Sequence, residues 1–129
     1  MYKIEDVMTK NVLSIKAKAK VYDAAKMLID HNISGLPVVD DTNNLIGIIS
    51  ERDIMKLLID EPTIDKQTVD CYMTSNVKSF TLDDSVVDIC EYLIENPIRR
   101  VPIVAEGKLK GIVSRHDIIK LILNIRGEK

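Results

Sequence analysis

Two octapeptides carry the side chains best suited to chemistry. Gly47-Ile48-Ile49-Ser50-Glu51-Arg52-Asp53-Ile54 recurs as Gly111-Ile112-Val113-Ser114-Arg115-His116-Asp117-Ile118. In each, an apolar β-branched run hands over to a Ser, and an Asp follows three residues later. Glycine inside a strand permits close approach by a ligand or by another stretch of backbone. A helix starting after the Ser exposes unpaired N–H groups and partial positive charge, which suit anions. The hydroxyl can donate to a phosphate or a sugar. An ionised Asp only accepts, so it suits a pair of ribose hydroxyls. The same residues also read as a variant capping box, in which Ser and Asp each satisfy a backbone N–H of the new helix.

The elements that must position these residues come from a repeat. Under a shift of 65 residues, 8–40 lie over 73–105 with 12 of 33 positions identical. The shift then drops to 64, and 45–60 lie over 109–124 with eight of 16 identical. Such self-similarity marks one supersecondary unit used twice. A short extended stretch opens each copy (Val12–Ile15; Val77–Phe80). A helix follows, with Val21, Ala24, Ala25, Leu28 and Ile29, or Val86, Ile89, Cys90, Leu93 and Ile94, at the spacing of one helix face. Asp83, Asp84 and Ser85 offer caps to the second of these helices, whereas Lys18-Ala19-Lys20 offers none to the first. Two strands come next, around turns at 40–44 and 106–108. Pro37 and Pro102 belong at a strand start or an edge. A closing helix carries Ile54, Leu57 and Leu58, or Ile118, Leu121, Ile122 and Ile125. The unit is β-α-β-β-α, twice. One copy of about 50 residues barely buries its own sheet face, and two copies packed face to face around a pseudo-twofold axis solve that problem.

Composition narrows the function classes. Aromatics are 4% of the 129 residues, so the core is aliphatic. A net charge of −2 gives no electrostatic footprint for nucleic acid or an anionic membrane. No apolar run reaches the length that spans a bilayer. The N-terminus shows no signal-peptide pattern, and two cysteines make no disulfide scaffold. A cytoplasmic protein is expected, with Cys90 as a buried thiol. The two histidines, His31 and His116, have no metal-ligand spacing, so no metal is expected. No P-loop, nucleophile elbow or zinc-protease motif is present, and an enzyme is not expected.

Glycine, an apolar residue, any residue, Ser or Thr, two residues and then Asp resembles the nucleotide signature of the CBS domain family. Met8-Thr9 and Met73-Thr74 ahead of the first strands, and Pro37-Val38-Val39-Asp40, resemble the same family. The resemblance covers about residues 4–126. It implies an α+β fold of tandem β-α-β-β-α CBS repeats, with motif 1 at 1–60, a linker at 61–71 and motif 2 at 72–129, together one CBS-pair domain.

The resemblance also implies site residues. Asp53 and Asp117 would hold the ribose, with Ser50 and Ser114 near the sugar and first phosphate. Thr9, Asn11 and Val12, and Thr74, Asn76 and Val77, would meet adenine through backbone groups. The clefts would be composite: Asp53 with Thr74–Val77 and Ile98–Val101, and Asp117 with Thr9–Val12 and Ile33–Leu36. Arg99-Arg100 precede Val101-Pro102, where the first copy has Ser34-Gly35 before Leu36-Pro37. Basic residues there resemble the family's phosphate-binding positions, and Arg pairs with phosphate at two points. The cleft of Asp53, Ser50, Arg99 and Arg100 is therefore the expected phosphate site, although the arginines also read as a solvated surface pair. His116 would assist with phosphate. The function implied is a regulatory sensor of AMP, ADP or ATP. The alternatives are another adenosyl ligand, such as S-adenosylmethionine or NAD, or a homodimeric interaction module serving a protein partner. The family's habit of dimerising through helices points to Met27, Met55 and Ile59 as interface candidates.

Overall fold

The computed structural model describes residues 2–60 and 66–127. Pro62, which marks the linker in the sequence, lies outside the described residues. In chain order the elements are α1 (Ile4–Val7), β1 (Ile15–Lys16), α2 (Val21–His31), β2 (Gly35–Val39), β3 (Leu45–Ser50), α3 (Glu51–Asp60), α4 (Val69–Tyr72), β4 (Phe80–Thr81), α5 (Val86–Glu95), β5 (Arg100–Ala105), β6 (Lys108–Ser114) and α6 (Arg115–Gly127). The class is α+β, as the sequence predicts.

Two compact units form, and they are not the two repeats. One is residues 13–77; the other combines 1–12 with 78–129. Each repeat thus contributes its opening segment to the unit built around the other. The cause is visible in the burial. Ile4 of α1 is 1% exposed in the core with Phe80, Ile89 and Val113, and Val69 of α4 is wholly buried with Val21, Leu36 and Ile49. Burying one such aliphatic side chain contributes about 1.5–3 kcal/mol. The end of the expected linker is therefore a docked helical turn.

Each unit holds a three-stranded sheet, ordered β1-β2-β3 or β4-β5-β6. The first pair is parallel and the second antiparallel. Opening strands are shorter than expected and start later, because only Ile15-Lys16 and Phe80-Thr81 find partners on β2 and β5. Pro37 and Pro102 lie near the start of β2 and β5, ahead of the residues paired with the parallel neighbour, so no ladder bond on that side is lost.

Val21, Ala24 and Leu28 of α2 pack on the first sheet, and Ile89 and Leu93 of α5 on the second. Ile29 and Ile94 do not follow them: they are 81% and 77% exposed. An i+8 residue stands about 80° round a helix from the first, which is off the edge of so narrow a sheet. Leu58 and Ile122 of the closing helices are likewise exposed. Cys90 is half-buried rather than buried. Ser85 caps α5 by accepting from the Val87 N–H, while Lys20 gives α2 no side-chain cap. Asn32 ends α2 in the left-handed conformation (φ 52°), a common helix stop. Asn96 ends α5 extended, as Pro97 after it requires.

Candidate functional site

In both units the Ser sits at the last strand position and the Asp in the first helical turn. Ser50 N–H donates to Asp53 Oδ2 at 2.9 Å, its hydroxyl donates to the same oxygen at 3.0 Å, and Asp53 N–H donates to Ser50 Oγ at 3.3 Å. The Ser114–Asp117 distances are 2.9, 2.9 and 3.1 Å. The capping box is thus real, and it consumes one carboxylate oxygen of each Asp. The other oxygen, Oδ1, is left for different work. The two readings of the motif are compatible.

Across from this turn lies the opening segment of the other repeat. Thr74 exchanges both backbone hydrogen bonds with Ile48, at 2.8 and 3.0 Å. Thr9 does the same with Ile112. These bridges need the neighbouring glycines. A Cβ at Gly47 would stand 2.8 Å from the Thr74 carbonyl oxygen, and one at Gly111 would stand 2.9 Å from that of Thr9. The close approach predicted for the strand glycines is made by this chain's own backbone.

The bridges also change the reading of Thr9 and Thr74. Their N–H groups are already used, and each carbonyl accepts one bond in the bridge, which leaves one lone pair on each carbonyl for a contact to adenine. Among the described residues, Asn11, Val12, Asn76 and Val77 make no backbone hydrogen bonds. Leu36 and Val101 are fully buried in the two cores, so their side chains are closed to a ligand. Ile33 and Ile98 are half-buried against those cores.

Asp53 is 5% exposed, the one charged side chain buried among the described residues. Thr74 Oγ1 donates to it at 3.2 Å from Oδ1, and Lys56 Nζ stands 4.0 Å from the same oxygen. Ser50, Arg52, Asp53, Lys56 and Thr74 line an open recess of about 450 Å³, with Met55 and Ile59 as its apolar side. Sequence reading missed Lys56 as a site residue. The signal was there: Lys120 stands at the same place in the second copy, three residues after the Asp and so on its face of the helix.

Arg99 and Arg100 belong to the unit that holds Asp117. Arg100 pairs with Ser114 across β5 and β6, and its Nε is buried with no hydrogen-bond partner among the described residues. The segment carrying these arginines is clamped from α6. Arg115 N–H donates to the Arg99 carbonyl at 2.9 Å, and the Arg115 guanidinium donates to the carbonyls of Leu93 and Asn96 at 3.0 and 3.1 Å. Arg115 thereby closes the C-terminus of α5, a positioning role with no counterpart in the motif pattern. His116 is exposed. No group of three or more His, Cys, Asp or Glu that could hold a metal ion occurs among the described residues. No helix there is long and apolar enough to cross a membrane.

A duplicated strand–Ser-x-x-Asp–helix turn, on two α+β units that exchange their opening segments, defines a CBS-type pair. The CBS domain family matches this chain twice, at residues 4–60 and 69–124, and the chain belongs to that family. A 17.7 kDa protein of Acidianus ambivalens is 37% identical over 128 residues, covering 95% of this chain and 74% of its own. The MJ1225 protein of Methanocaldococcus jannaschii is 35% identical, and there the chain spans 42% of the relative's length. L-aspartate semialdehyde sulfurtransferase of the same organism is 34% identical over a match covering 23% of that enzyme. Among solved structures, CBSX2 in complex with AMP superposes with a TM-score of 0.87 at 30% identity, covering 98% of this chain and 99% of that one. The CBS domain pair of MJ0100, in complex with 5′-methylthioadenosine and S-adenosyl-L-methionine, gives 0.79 at 32% identity, covering 100% and 99%.

Proposed function

We propose that this chain is a regulatory module that binds an adenine nucleotide through Asp53 and Asp117. The observation that carries the reading is the division of labour at each aspartate. Oδ2 is fixed by the Ser cap, which orients the carboxylate and leaves Oδ1 for a ribose hydroxyl: without another donor at Asp117, and shared with the Thr74 hydroxyl at Asp53. The AMP of CBSX2 and the two adenosyl ligands of MJ0100 support an adenosine-bearing ligand for this chain too. Arg99, Arg100, Arg52 and Lys56 favour a ligand with phosphate over an uncharged adenosyl group. Asn11, Val12, Asn76 and Val77 supply free backbone groups for adenine. A ligand acts as a regulator only through different affinity for two states, so the output is a change in a surface that a protein partner reads.

A self-associating module is the second part of the proposal. Ile29, Leu58, Ile59 and Ile94 are each more than three-quarters exposed. Large apolar residues so placed on helices favour a covering surface, and a second copy of this chain fits that role. Met55 and Ile59 are exposed as that role requires, whereas Met27 packs on the core.

Thermal unfolding with AMP, ADP, ATP, S-adenosylmethionine and NAD tests the ligand. At 100 times its Kd, a ligand stabilises the folded state by about 2.7 kcal/mol. The expected result is a higher midpoint with nucleotide, reduced by Asp53→Ala and by Asp117→Ala. No shift with any compound refutes the nucleotide reading.

A further inference from the structure

We infer that the two aspartate sites are unequal: the Thr74 hydroxyl latches the Asp53 carboxylate, and the Asp117 carboxylate carries no such latch. This rests on the nucleotide reading above and adds a gate to it.

The two copies share a common frame. Met73-Thr74 lies against Gly47, and Met8-Thr9 lies against Gly111. Both threonines make the same backbone pair, and both aspartates accept from their Ser through Oδ2. One contact breaks the symmetry. Thr74 Oγ1 stands 3.2 Å from Asp53 Oδ1 and 3.4 Å from Oδ2. Among the described residues, neither Thr9 nor any other group donates to Oδ1 of Asp117. Exposure follows the contact, with Asp53 buried and Asp117 half-buried.

The consequence is competition for one oxygen. A ribose hydroxyl that approaches Oδ1 from the Thr74 side must displace the Thr74 proton. The backbone of Thr74 is pinned on both sides by Ile48, so the strand does not have to move when a ligand enters. Rotation about χ1 alone takes the hydroxyl to another staggered well. The latch therefore costs a ligand one hydrogen bond to a charged acceptor, roughly tenfold or more in affinity. At Asp117 that cost is absent.

Calorimetric titration of AMP in an Asp117→Ala background isolates the Asp53 site. Adding Thr74→Val keeps the β-branched shape and removes the hydroxyl. The expected result is roughly tenfold tighter binding, returned toward the Asp117→Ala value by Thr74→Ser. The mirror change, Thr9→Val in an Asp53→Ala background, gives no tightening. Unchanged or weaker binding on Thr74→Val overturns the latch while leaving the nucleotide reading intact. Failure of the unsubstituted chain to bind AMP, ATP or S-adenosylmethionine overturns both.

Discussion

The α-carbon of Gly47 is held so close to Thr74 that an added Cβ would stand 2.8 Å from the Thr74 carbonyl oxygen and 2.7 Å from the Met73 sulfur. The sulfur ends a flexible chain and can swing away. The carbonyl is fixed by its bond from the Ile48 N–H. Gly47→Ala and Gly111→Ala are therefore expected to destabilise by about 1–3 kcal/mol, the usual cost of overpacking. Chemical denaturation measures this. A loss below about 0.5 kcal/mol would mean that the bridge opens freely.

Acid should loosen the turn between β2 and β3. The Asp40 carboxylate accepts from the Asn44 side chain at 3.0 Å, from the Asn44 N–H at 2.9 Å and from the Thr42 N–H at 2.9 Å. These bonds hold its pKa down from the ordinary 3.8 to about 2. A lowered folded-state value means that the stabilisation is present above pH 4 and is lost as pH falls toward 2. Asn44→Ala removes the leading cause. Melts between pH 2 and pH 5 should show a shallower acid loss in that variant, and parallel curves would refute the assignment.

Arg100 has a buried Nε with no partner among the described residues. The residue itself is half-exposed, so the terminal N–H groups of its guanidinium are the ones that can pair with a phosphate. Arg100→Ala is expected to weaken AMP and ATP roughly tenfold and adenosine very little. Equal losses for all three would assign Arg100 to structure and not to phosphate.

Self-association should depend on side chains that the cores do not need. Leu58 and Ile94 are 83% and 77% exposed. Leu58→Asp with Ile94→Asp should lower the sedimentation mass while leaving the circular dichroism spectrum unchanged. A chain that sediments as a monomer before substitution contradicts the proposed covering by a second copy.

The repeat carried much of this into view early. Identities at Gly47/Gly111, Ser50/Ser114 and Asp53/Asp117 marked the turn, and the spacing of Val21, Ala24 and Leu28 marked the buried helix face. What periodicity missed was set by tertiary partners. Ile29 and Ile94 fit the stripe but have no sheet beneath them. Val69 lay in a polar linker until its burial showed a docked helical turn. The exchange of opening segments was legible only as a family resemblance, because no local pattern says which strand Thr74 will meet. The Thr74–Asp53 bond and the clamp from Arg115 depend on side-chain geometry that two aligned copies cannot distinguish.

The central claim is that the two aspartates hold the ligand's sugar. Isothermal titration of AMP into the chain and into the Asp53→Ala/Asp117→Ala double variant tests it most directly. Saturable binding to the first and none to the second is expected, with the double variant still folded. Binding of comparable affinity to the double variant would contradict it.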